Sequence, residues 1–318
     1  MKRILLPALA ALMLAACEKQ LDIDVDDLEP IVVVNSICKP GSAVQMSVTW
    51  SRPILGFHSY SQEYGFTTVE GATAELTVNG SERYTATTTD SLLVFPYIAQ
   101  AYDSLQVEVH VPDYGTLKAS TRVPLPPSVG EVTPRVDTAA NNEVIYNLRI
   151  PLSDPAGQRN YYSIRIVNYM YSHAEFDGDS NLVNYSHVDS SDMWFNCSDP
   201  LVVSTEVTDL LEGMETAADF SGEEMYFDDS RIDGTTHNID VSYSIYFYDM
   251  PEDLAIYARV HVNALSREEY LYRVSAENAY YDELSGLFSE PGVVYSNVEG
   301  GAGVLGAHSS RQAMVHCR

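Results

Sequence analysis

Two short stretches gather carboxylates beside turn residues: Phe176 to Asn181 ("FDGDSN") and Phe227 to Gly234 ("FDDSRIDG"). Closely spaced oxygen ligands on a loop suit a hard cation, so Asp177, Asp179, Asp228, Asp229 and Asp233 form a candidate Ca²⁺ or other cation site. No complete calcium-loop pattern is present, and the competing reading is a solvated acidic surface. Both stretches overlap residues 166–230, a segment with fifteen acids and no lysine or arginine. Within it, Glu223, Glu224, Asp228 and Asp229 form a dense run that would attract a basic partner or a cationic ligand at long range.

Other motifs are weaker. Gly301 to Gly306 ("GAGVLG") matches G-x-G-x-x-G, but a dinucleotide loop needs a helix behind it and an acid about twenty residues on. The sequence ends at Arg318, so a glycine-rich turn into a last strand is the better reading. Asp22, Asp24 and Asp26 suggest D-x-D-x-D, yet Asp27 stands where an EF-hand requires glycine and Val33 where it requires glutamate. The eight histidines include no H-E-x-x-H or H-x-H pair, and there is no G-x-S-x-G or S-x-x-K. A triad dispersed over distant loops leaves no such local trace.

Cysteine carries the clearest chemistry. Lys2 and Arg3 precede an apolar run from Ile4 to Ala16 that is too short to span a bilayer, and Leu14-Ala15-Ala16-Cys17 fits the bacterial lipobox. Residues 1–16 read as a lipoprotein signal peptide and Cys17 as the lipidated new N-terminus. Several acyl chains there would anchor the protein stably in a membrane. Removal of Lys2 and Arg3 leaves 16 basic against 45 acidic residues, a net charge of −29, which repels nucleic acid and excludes it as a partner. Of the remaining cysteines, Cys38, Cys197 and Cys317, at most one pair can form a disulfide; Cys197 and Cys317 fall in the same expected domain and are the candidate pair. No cofactor other than Ca²⁺ is suggested.

The elements that would position these residues are mostly strands. Residues 17–29 read as an acidic tether, which is also compatible with an export signal like the acidic surface-export tags of Bacteroidetes lipoproteins. Ile31 to Ile37 suits a buried strand, and Val44, Met46, Val48 and Trp50 alternate with polar residues. Asn79-Gly80 between two β-prone runs predicts a hairpin. A second alternation runs from Leu105 to Val111, and "PDYG" at 112–115 turns the chain back. Residues 30–125 are therefore expected to form an antiparallel β-sandwich of the immunoglobulin or fibronectin kind, about 100 residues long. "VPLPPSVG", Val123 to Gly130, reads as a linker. Residues 126–318 are expected to form a second, C-terminal β-rich domain, with strands near 144–150, 161–171, 239–248 and 256–263. One helix near 266–281 should open with Ser266 and Glu269 as a capping box. The fold class is mainly β, two antiparallel sandwiches that fold separately on either side of 124–130. Twenty-two tyrosines are in excess; those on strands suit sheet packing, while Phe57, Tyr60 and Tyr64 share a loop that could anchor a ligand.

Several segments together resemble a known family: "CEKQLDIDV" (17–25), "IVVVNSICKPGSAVQMSVTWSRPILG" (31–56), "NYYSIRIVN" (160–168), "FDDSRIDGTTHNIDVSYSIYF" (227–247), "LSREEYLYRVSAEN" (265–278) and "FSEPGVVYSNVEGGAGVLGAHS" (288–309). In this order they are similar to the Bacteroidetes outer-membrane lipoproteins called domain of unknown function 4249. Leu305 departs from the aromatic residue usual at its position. The resemblance implies a non-catalytic accessory protein, held by a lipid at the outer-membrane surface and partnering a TonB-dependent receptor in nutrient binding or uptake. It transfers no catalytic residue. A secreted hydrolase with a dispersed active site and a surface adhesin are the alternatives.

Overall fold

A computed structural model describes residues 29–51, 67–89, 92–138, 143–178, 181–202, 219–247, 253–285 and 293–318. Cys17, the acidic tether up to residue 28, Asp179 and the loop with Phe57, Tyr60 and Tyr64 lie outside the described residues. The N-terminal part contains β1 (Val32–Cys38), β2 (Ala43–Trp50), β3 (Thr73–Val78), β4 (Glu82–Thr85), β5 (Thr87–Thr89), β6 (Leu92–Ile98), β7 (Ser104–Val111) and β8 (Gly115–Arg122). Beyond the proline linker come β9 (Ser128–Val129), β10 (Thr133–Thr138), β11 (Glu143–Ser153), β12 (Tyr161–Ser172), the small hairpin β13 (Glu175–Phe176) and β14 (Leu182–Asn184), and β15 (His187–Asp192). Then follow β16 (Phe195–Cys197), β17 (Phe220–Gly222), β18 (Glu224–Asp228), β19 (Thr236–Tyr246), β20 (Ala255–Leu265), the helix α1 (Arg267–Ser285) and β21 (Ala302–His316).

Alternation dictates the layers. Val44, Met46 and Val48 are buried while their odd-numbered neighbours are not, and Leu105, Val107, Val109 and Val111 repeat the pattern on β7. These residues face each other across the N-terminal sandwich, between β1-β2-β6-β5 and the four-stranded sheet β4-β3-β7-β8. The expected hairpin is present: β3 pairs with β4, and Asn79 (φ 51°) and Gly80 (φ 73°) both take the left-handed conformation that such a tight turn needs. In the C-terminal sandwich, β15-β12-β20-β21 with β18 packs on β10-β11-β19-β16-β17. Ile164, Ile166, Val260 and Val262 meet Tyr146, Leu148, Ile150 and Val241 in its core. The fold is mainly β, built from antiparallel sheets in sandwich arrangement, as the alternation predicts.

The division into 30–125 and 126–318 needs one correction. The strand β21 serves both halves. Its residues 302–307 run parallel to β1, Val33 facing Ala302 and Cys38 facing Ala307, and its residues 308–316 run antiparallel to β20. One sheet thus continues from β15 to β5. Val298, Leu305 and Ala307 lie in the N-terminal core, far in sequence from the rest of it. The physical reason is that β1 carries a buried, apolar pattern on an inner position, and a central strand needs a neighbour on each side.

The "GAGVLG" glycines belong to this seam. A β-carbon on Gly301 would lie 2.5 Å from the Val32 carbonyl oxygen, and one on Gly306 would lie 2.8 Å from Cβ of Glu269. The glycines let β1 and α1 approach β21 closely. Ser266 caps α1 as expected, its Oγ accepting from the Glu269 N–H at 3.2 Å. The reciprocal bond of a full capping box is replaced: the Ser266 N–H donates to the Ala307 carbonyl at 2.7 Å. The Glu269 carboxylate turns to His308 Nδ1 at 3.0 Å and Arg273 at 3.2 Å. Helix and seam strand are locked through this buried acid.

The proposed Cys197–Cys317 bridge is also corrected. Both are buried free thiols of the C-terminal core, as Cys38 is of the N-terminal one. The Cys317 S–H donates to the Val315 carbonyl, 3.6 Å away, and its sulfur faces the Tyr243 hydroxyl. Burial pushes the thiols of Cys38 and Cys197 up to about 11, which keeps them protonated and unreactive.

Candidate functional site

At the seam between the two sandwiches lies a cleft of about 720 Å³. The linker forms one wall, with Pro124, Leu125, Pro126 and Pro127; the N-terminal half adds Tyr102 and Arg122. The β11–β12 turn adds Asp154, Pro155, Arg159 and Asn160, and the end of β20 with the start of α1 adds Leu265, Ser266, Arg267 and Glu268. Residues read as punctuation in the sequence, a proline linker and a "DPAG" turn, are here the lining of a cavity whose size suits a small ligand.

Asp154 and Asn160 on the cleft wall belong to a polar network that extends to Asp229 and Asp233. Asp154, 7% exposed, accepts from the Tyr162 hydroxyl at 2.6 Å, from Asn160 Nδ2 at 3.1 Å and from the Gly234 N–H at 3.1 Å. Asp229 accepts from the Asn160 N–H at 2.7 Å, and Asp233 from the Gly157 N–H at 2.8 Å. Burial raises the carboxyl of Asp229 above the usual carboxylate range, opposed by the Asn160 N–H. Arg159 Nη1 reaches Asp228 at 3.3 Å and Asp229 at 3.6 Å. The network ties the β11–β12 turn to the loop after β18.

The structure regroups the candidate cation ligands. Asp229 and Asp233 come together, with Asp154 as third member, so that one carboxylate oxygen from each lies within 4.8 Å of the others. Asp228 instead caps the loop by accepting from the Ser230 N–H at 2.8 Å. Asp177 is elsewhere, exposed, closing its own turn by accepting from the Asn181 N–H at 2.8 Å. Sequence reasoning missed Asp154 because it sits 75 residues or more from Asp229 and Asp233, and a D-P-A-G tetrapeptide is a complete turn signal by itself.

The partner-facing acids are corrected in the same way. Asp228 and Asp229 are each 2% exposed, and Glu224 accepts from Ser163 Oγ at 2.7 Å, so only Glu223 of the four is freely presented to solvent. β18 pairs with β12, which draws its acids into the sheet. The exposed acids of the 166–230 segment include Glu175, Asp177, Asp189 and Glu223.

These features set the class: a mainly β protein of two sandwiches sharing one strand, with a ligand-sized cleft at the seam. The chain belongs to the family described as Domain of unknown function (DUF4249), whose model matches residues 18–313. No curated protein matches it. Among solved structures, a Salmonella alpha-2-macroglobulin mutant aligns at 10% identity and a TM-score of 0.22, over 91% of this chain and 15% of that one. This chain therefore spans 15% of that protein's length. A structure described as manganese lipoxygenase of Gaeumannomyces graminis with partial zonadhesin of Komagataella pastoris aligns at 8% identity and a TM-score of 0.18, over 91% of this chain and 100% of that one.

Proposed function

We propose that the protein is a lipid-anchored outer-membrane accessory protein of the Bacteroidetes type, non-catalytic, which binds a nutrient beside a TonB-dependent receptor. The observation that carries this reading is the cleft at the seam, because a pocket walled by both sandwiches can respond to a ligand by shifting one half against the other. The lipobox ending at Cys17 supports the anchor. Cys17→Ser is expected to release the protein from membranes, and mild-detergent purification from native membranes is expected to recover the receptor with it. Recovery of no receptor sinks the reading in favour of the hydrolase or the adhesin. Changing the exposed acids Glu175, Asp177, Asp189 and Glu223 to amides is expected to slow association with the receptor at low salt and to leave it unchanged at high salt. An unchanged rate at both would make these acids solubilising only.

The same reading gives Asp154, Asp229 and Asp233 a structural role. Their oxygens already accept N–H and O–H donors from Gly157, Asn160, Tyr162 and Gly234. The melting temperature of chelator-treated protein is therefore expected to be the same with and without millimolar Ca²⁺. A rise on adding the ion, by mass action on the folded state, would assign a cation to the cluster instead.

A further inference from the structure

A groove of about 490 Å³ lies on the outer face of the sheet β10-β11-β19-β16-β17 and shares no lining residue with the cleft. Alternation decides what faces it. Tyr146, Leu148 and Ile150 point into the core, so Asn147 and Arg149 point out; on β19, buried Val241 and Tyr243 leave Asp240 and Ser242 outside. Register then aligns one polar residue per strand. Arg135 stands opposite Asn147, Asn147 opposite Ser242, Ser242 opposite Asn196 and Asn196 opposite Ser221. Neighbours in such a row are about 5 Å apart.

The charges at the groove cancel. Its charged lining residues are Arg135, Arg149 and Asp240. Arg149 grips Asp240 with two bonds of 2.8 Å, and Arg135 holds Asp137 at 3.0 and 2.7 Å. The uncharged groups are fixed in orientation. The Trp194 indole N–H, which can only donate, bonds Ser221 Oγ at 2.8 Å. Ser221 passes its own proton to Asn196 Oδ1, also at 2.8 Å, which leaves the Asn196 NH₂ facing outward without a partner among the described residues. Asn147 does the reverse: its Nδ2 donates to Asp137 at 3.0 Å, which leaves its carbonyl oxygen open. The Ser242 hydroxyl between them has no hydrogen-bond partner among the described residues. The row thus presents an acceptor, a hydroxyl that does both, and a donor. Trp194, on the same face as Asn196 by alternation and 56% exposed, adds a broad apolar ring at its end.

We propose that this groove binds a neutral carbohydrate, at a site separate from the cleft. A pyranose matches both parts of it: its hydroxyls each donate and accept, as the row requires, and its C–H face is apolar and stacks on an indole. Acidic and amino sugars would bring a charge that no unpaired counter-charge in the groove meets.

The test is a titration of the full mature protein with maltohexaose, cellohexaose and xylohexaose, read by tryptophan emission and by calorimetry. The chain has two tryptophans, and Trp50 packs against Tyr114, so the two emissions are separable by substitution. At least one neutral hexamer is expected to quench the emission and to bind about tenfold more tightly than hexagalacturonate or chitosan hexamer. Trp194→Ala is expected to abolish the quenching. Asn196→Ala with Ser242→Ala is expected to weaken binding about tenfold at an unchanged melting temperature. Arg122→Gln, in the cleft, is expected to leave binding unaltered. Binding by none of the three hexamers overturns the proposal, as does binding that survives both groove variants. Equal or tighter binding of a charged oligomer overturns the neutral class, and loss of binding with Arg122→Gln overturns the location. Receptor recovery from membranes is a separate measurement, so failure here leaves the accessory-protein reading standing.

Discussion

A chain ending at Leu125 is expected to lack a cooperative unfolding transition, although it contains every strand from β1 to β8. β1 would lose its parallel neighbour over six paired residues, and the N-terminal core would lose Val298, Leu305 and Ala307. Burying a Val or Leu contributes about 1.5–3 kcal/mol each. Their combined loss, with the opened ladder, approaches the 5–15 kcal/mol that typically holds a whole domain together. Val32 and Val34, now fully buried, would line an exposed strand edge, which invites aggregation. Far-UV circular dichroism should still report β structure, while near-UV signal weakens and a hydrophobic dye binds. Adding the 126–318 fragment in trans should restore the near-UV signal. A sharp melting transition for the short chain alone would show that its sandwich closes without β21.

Gly303→Val is expected to destabilise the full chain by at least about 4 kcal/mol, in the range that only a few named mechanisms reach. Two of them act together. Gly303 has φ of +111°, which a β-branched residue adopts only under strain, and its added β-carbon would lie 2.1 Å from the Val34 carbonyl oxygen and 2.8 Å from its carbon. The obstacle is backbone of a paired strand, so neither side can yield without breaking the β1–β21 ladder. Gly41→Ala is the control: its φ is +80°, but no atom lies within 4 Å of the new β-carbon. That change should cost only the backbone term, about 1–2 kcal/mol. Urea unfolding curves of equal slope would measure both. Similar losses at the two positions would mean that conformational strain alone, and not the close approach of the strands, makes Gly303 necessary.

Local signals were legible where one face of a strand is buried and the other is wet. Val44 to Trp50, Leu105 to Val111, the Asn79-Gly80 turn and the Ser266 cap all fall where the residue pattern places them. Long-range pairing was not legible. Nothing in Ala302 to Ala307 names β1 as its neighbour, because the parallel ladder is made by backbone groups and the glycines mark only a close approach to something. The site fared similarly. Asp229 and Asp233 were found from a cluster within eight residues, whereas Asp154, Arg122 and Arg267 reach the cleft only through the topology.

The shared strand also imposes an order of events in time. The Val304 N–H reaches the Asn35 side chain across 269 positions, so β1 is synthesised long before its partner. Closing so large a loop carries an entropic cost before any contact offsets it, which makes such pairings slow. A half-made molecule therefore waits with one strand unpaired. It depends on whatever holds unfolded chains apart until β21 arrives.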